Sequence, residues 1–125
     1  MHDKARAAVE RLAHGPEIAY LFWPTVMAYL RIATHPSVFE RPLSIPVAIG
    51  NVEQLIGRPH VRTTGETGAF WLSFRDVTDD ALPSGNLVPD AHLVTLMLDN
   101  DVRTIWTRDR DFRRFPRIEV RDPFA

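Results

Sequence analysis

At 125 residues, with 45% hydrophobic side chains, three Trp and seven Phe, the chain has the size and apolar content of one globular domain with a packed core. It has no cysteine, which excludes disulfides and thiolate chemistry and is compatible with a reducing compartment, and no apolar run approaches the ~18 residues of a membrane span. The net charge of -1 hides an asymmetry: residues 103–125 hold seven Arg against four acids, while residues 1–102 hold eight basic and twelve acidic residues, so a basic tail that favours a polyanion partner follows an acidic body.

The opening "MHDKARAAVERLAHG" is charged and amphipathic, unlike a signal peptide, and points to the cytoplasm. Asp3 caps a first helix reaching about Ala13, because Ala5, Ala8, Val9 and Leu12 recur at helical spacing and Gly15-Pro16 ends the run. "EIAYLFW" reads as a short buried strand. Pro24 then opens the helix "PTVMAYLRIATH", apolar on most sides and therefore expected inside the core. A proline-rich loop follows, and Ser44 caps a helix to about Ile56. "HVRTT" is a second strand. Residues 64–79 form a weaker helix with Phe70, Trp71 and Phe74 on its inner face, and "DDALPSGN" is turn chemistry. "PDAHLVTLMLDND" is a strong helix, followed by the strand "VRTIWT", a short turn, and a last strand near "IEV".

Helices alternating with short apolar strands predict an α/β layer fold in a single domain, with a mainly parallel sheet whose working face lies beyond the carboxyl ends of the strands. Asp109 falls just past the end of "VRTIWT", with Asp111 two residues on. The preceding helix runs antiparallel to that strand, so its start, with Asp90, returns to the same edge. Clustered carboxylates need a cation or a proton between them, and Mg²⁺ or Mn²⁺ suits such donors. Each acid also has a plainer reading: Asp90 as a helix N-cap, Asp109 and Asp111 as partners of neighbouring arginines. His92, two residues from Asp90 on a helix, points elsewhere and reads as structural. His14, His35 and His60 lack metal-ligand spacing. Trp23, Trp71 and Trp106 fall on apolar patterns and read as core in preference to base-stacking platforms. Arg108, Arg110, Arg113, Arg114 and Arg117 either hold phosphates or form a solvated face.

"YLRIATHPSVFERPLS" at 29–44, "GNLVPDAHL" at 85–93 and "WTRDRDFRRFP" at 106–116 together resemble the PIN-domain family, and within it the VapC-type toxins of toxin-antitoxin pairs, over nearly the whole chain. The resemblance implies a three-layer α/β/α sandwich and an Mg²⁺- or Mn²⁺-dependent ribonuclease. It also implies a homodimer and inhibition by a small VapB-type antitoxin. It places Asp90 and Asp109 as metal ligands and Asp111 as a catalytic neighbour. Asn86 and Thr107 would orient the carboxylates, while Arg108, Arg110 and Arg113 would hold the RNA backbone. Two departures accompany it. The family's opening strand with an Asp-x-Asn motif has no counterpart here, and the position of a family glutamate falls near Ala28. A catalytically impaired PIN-like remnant, acting only in dimer or antitoxin binding, is the alternative these departures leave.

Overall fold

The computed structural model describes residues 18–37 and 41–124, which fall into two units, 18–65 and 66–124. The expected first helix lies outside the described residues.

In the first unit, strand β1 (Ala19–Phe22) leads directly into helix α1 (Trp23–Ala33), helix α2 (Ile45–Ile56) follows, and strand β2 (Val61–Thr64) completes the unit. The strands pair in parallel, Ala19 with Val61 through Phe22 with Thr64. A parallel pair needs a crossover, which the two helices supply. Pro24 lies in the first turn of α1, where a missing N–H costs nothing. Ser44 caps α2 as expected, its Oγ accepting the Val47 N–H at 3.4 Å. Phe22, Val26, Ala33, Ala48 and Val61 are buried. The expectation that α1 lies inside the core holds only for Val26 and Ala33, because Met27, Tyr29 and Ile32 are exposed. A two-stranded sheet has room to cover one stripe of a helix and no more.

In the second unit, helix α3 (Phe70–Ala81) and helix α4 (Leu87–Asp99) precede strand β3 (Thr104–Trp106), a 3₁₀ turn (Arg110–Arg114) and strand β4 (Glu119–Arg121). Strands β3 and β4 are again parallel, with Thr104, Ile105 and Trp106 opposite Glu119, Val120 and Arg121. Helix α3 starts six residues later than the periodicity predicts. Thr64 is committed to β2, and the intervening residues from Gly65 to Ala69 include two glycines, which lower helix propensity. Its inner face is also shifted: Val77 is buried and Phe74 packs against the core, whereas Trp71 is 64% exposed. A core cluster of this unit is formed by Val77, Ala91, Val94, Phe112 and Phe115, with Phe74, Leu93, Leu98, Ile105, Ile118 and Val120 packed around it. Two of its five buried residues come from the segment around the 3₁₀ turn, so that turn is anchored by packing and not merely by its ends. The segment read as a plain turn is therefore a structured element. Parallel pairing in both units agrees with the α/β class expected from the sequence.

Candidate metal centre

Helix α4 begins at Leu87, two residues before the sequence pattern suggests, and its N-cap is Asn86. Asp90 is consequently not a cap. It lies at the fourth helical position, in the first turn, where the helix dipole favours a negative charge. The two residues beneath this turn, Ala91 and Val94, are buried in the core and fix its direction.

Asp109 and Asp111 approach from the other segment. The Thr107 hydroxyl accepts the Asp109 N–H at 3.1 Å, and Asp109 Oδ1 in turn accepts the Asp111 N–H at 2.9 Å, capping the 3₁₀ turn. Phe112, one residue on, is buried and pins the turn to the core. Each of Asp90, Asp109 and Asp111 offers a carboxylate oxygen within 4.8 Å of the others, Asp90 half-buried and its companions exposed. The sequence separates these acids by up to 21 residues, and the helix-to-strand reversal closes that distance.

The electrostatics register the crowding. Burial pushes the Asp90 carboxyl above its ordinary range, and the carboxylates of Asp109 and Asp111 push it further. Three oxygen donors around one volume, one of them kept from ionising by burial and then by its two neighbours, fit a hard divalent cation held by a few carboxylates.

The other expected site residues divide. Thr107 acts on the Asp109 backbone and so sets the loop, not the carboxylate itself. Asn86 stands at the helix start with no side-chain cap bond. Arg108 is turned toward the chain's end, its Nε 3.8 Å from Asp122 Oδ2 and its guanidinium 5.1 Å from the Phe124 ring centre. Arg110 and Arg113 are exposed on the 3₁₀ turn, and neither forms an ion pair among the described residues. Arg117 pairs with Asp80 at 3.0 Å and ties the turn's exit to α3. His92 has the structural role expected of it: its Nε2 lies 2.5 Å from Glu66 Oε1, and its ring packs edge-on against Phe70.

The tryptophans correct the sequence reading. Trp23, Trp71 and Trp106 are 42%, 64% and 41% exposed, so none is a core residue. Trp106 closes β3 immediately before Thr107, with the Arg121 guanidinium 5.7 Å from its ring. The sequence pattern predicts the six-residue strand "VRTIWT", whereas the strand that forms spans Thr104–Trp106, and an aromatic at the end of so short a strand has little sheet beyond it to pack against.

No family model matches the chain. It is 52% identical over 124 residues to Ribonuclease VapC48 of Mycobacterium tuberculosis, an alignment covering 99% of this chain and 86% of that relative. Ribonuclease VapC43 of the same organism is 32% identical over 122 residues, with 98% and 82% covered. Ribonuclease VapC31, also from that organism, is 32% identical over 126 residues, with 98% and 86% covered.

Proposed function

The chain belongs to the VapC ribonuclease family, and on that premise we propose that it is the toxin of a VapBC-type pair, an endoribonuclease hydrolysing RNA at the Asp90–Asp109–Asp111 cluster. The observation that carries the assignment of the site is the convergence of three carboxylates from two separate segments, one of them pushed toward its protonated form.

Asp90 and Asp109 would hold a divalent cation, Mg²⁺ or Mn²⁺, with Asp111 beside them. Such a cation supplies Lewis acidity, activating water and offsetting charge that develops at the phosphate. The chain's own groups prepare the rest. Thr107 and the Asp109 cap fix the backbone of this loop and the Asp109 carboxylate before substrate arrives, so less ordering is left for the reaction step. Arg110 and Arg113, without acidic partners among the described residues, would bind phosphates flanking the scissile bond, and Arg108, in the same loop, would assist them. A small VapB-type antitoxin encoded beside the toxin, a homodimer and a cytoplasmic setting complete the proposal. Among the described residues no helix is long and apolar enough to cross a membrane.

The test is cleavage of a structured RNA by the purified chain with and without Mg²⁺ or Mn²⁺, against Asp90→Ala. Loss of one ligand should lower the rate by roughly a hundredfold or more, the order seen when a group stabilising transition-state charge is removed. Equal, metal-independent cleavage by both proteins would refute the site, and silence from the native chain under either metal would refute the activity.

A further inference from the structure

One arrangement beside the acid cluster is not needed to hold a cation. Strands β3 and β4 run in parallel and end together, and their last facing residues are Trp106 and Arg121. The Arg121 guanidinium lies 5.7 Å from the Trp106 ring centre, and Trp106 remains 41% exposed. The Arg121 carbonyl accepts the Thr107 N–H at 2.8 Å. The same Thr107 accepts the Asp109 N–H through its hydroxyl, so two consecutive hydrogen bonds tie the Arg121 backbone, at the end of β4, to the loop that carries Asp109. Two residues past Trp106, Arg108 repeats the pattern over Phe124.

The charges of these two arginines are already engaged. Arg121 Nε bonds Glu119 Oε1 at 2.9 Å, and Arg108 Nε faces Asp122. Guanidiniums held by carboxylates are weakened as phosphate clamps, but the flat faces of arginine and of an indole suit a nucleobase. Arg110 and Arg113 on the 3₁₀ turn, without such partners among the described residues, are the better phosphate ligands.

We propose that Trp106, backed by Arg121, is a stacking platform for an unpaired base of the RNA, next to the phosphate held at the acid cluster. Asp109 lies three positions beyond Trp106, at most about 11 Å of chain, which a neighbouring nucleotide spans. Glu119 has a positioning part, keeping the guanidinium over the ring. The platform favours single-stranded over paired substrate, since a base in a duplex cannot present its face. This inference rests on the ribonuclease reading above and adds a base-binding subsite to it.

The experiment measures binding of a short labelled single-stranded oligoribonucleotide, and of the same oligonucleotide made abasic, by anisotropy. Every protein carries Asp109→Asn so that the RNA stays intact. Stacking on one aromatic ring predicts that Trp106→Ala weakens binding of the intact RNA by roughly tenfold or more, with Trp106→Phe restoring most of it. The abasic RNA should bind both proteins alike. In a Trp23→Phe/Trp71→Phe protein, where Trp106 is the remaining tryptophan, its emission should be quenched by the intact RNA in step with anisotropy. Equal affinities with unquenched emission, or equal losses on intact and abasic RNA, would overturn the platform while leaving the ribonuclease reading in place. Absence of RNA binding by the parent protein would overturn both.

Discussion

At Asp90, burial and then two neighbouring carboxylates oppose ionisation, and a bound cation would reverse the electrostatic part of that opposition. Because its carboxyl is raised in the folded chain, the folded state holds this proton more tightly than the unfolded one. The associated stability is therefore fully present below the unfolded value and is lost as pH rises through the folded one. We expect Asp90→Asn to raise the melting temperature of the metal-free protein at neutral pH and to make little difference well into the acid range. The same variant should lose most of the stabilisation that Mn²⁺ gives the native chain, and thermal melts across pH with and without metal check both parts. Asp109 Oδ1 caps the 3₁₀ turn, which would leave its other oxygen for the proposed cation. Asp109→Asn preserves the cap, so Asp109→Ala should be less stable than Asp109→Asn by about 1 kcal/mol in urea unfolding, with metal-induced stabilisation reduced in both. Residue types alone made these acids candidates, but could not tell whether Asp90 caps its helix, because that turned on a helix start two residues away from its expected place.

Among the elements, the segment between α3 and α4 carries a local conflict. Leu82 ends α3 in a left-handed conformation, φ 50°, with 78% of its surface exposed, and neither its side chain nor its backbone geometry suits that place. The left-handed region costs a branched L-residue roughly 1–2 kcal/mol, partly offset by the greater unfolded-state freedom of glycine, so Leu82→Gly should stabilise the fold by about 0.5–1 kcal/mol in urea titration. The opposite holds at Phe112. Its burial anchors the 3₁₀ turn, and Phe112→Ala should cost about 3–5 kcal/mol and also diminish metal-induced stabilisation, because Asp111 and Asp109 lose the packing beneath them. Period and punctuation had identified the central helices and strands: Ser44, Pro24 and the apolar run after Pro89 each marked an element that formed. What they missed were elements decided by tertiary packing. "RDFRR" carries no helical period and folds into a 3₁₀ turn because Phe112 and Phe115 find a core supplied by α3 and α4. Likewise, an inward Trp71 was a fair reading of the α3 pattern, yet only contact with α4 determined which aromatic faced the core.

For the whole molecule, the net charge of -1 conceals where positive charge is available. Seven arginines lie in residues 103–125, but the described ion pairs engage Arg103, Arg108, Arg117 and Arg121 with Asp101, Asp122, Asp80 and Glu119. The sequence revealed the basic tail without revealing that its charge is divided between paired and unpaired arginines, since partners such as Asp80 are distant in the chain. This division yields a prediction that a count of arginines would not. If Arg110 and Arg113 are phosphate ligands, Arg110→Ala and Arg113→Ala should each weaken RNA binding on all sequences alike, and each should reduce the slope of log affinity against log salt by roughly 0.7–1. Trp106→Ala should weaken binding with the slope nearly unchanged, because stacking releases no counterions. Anisotropy titrations over a salt series distinguish the two classes. A fall in slope for Trp106→Ala equal to that for Arg113→Ala would mean that the aromatic acts through the surrounding charge, and the separation between phosphate-holding and base-holding residues would fail.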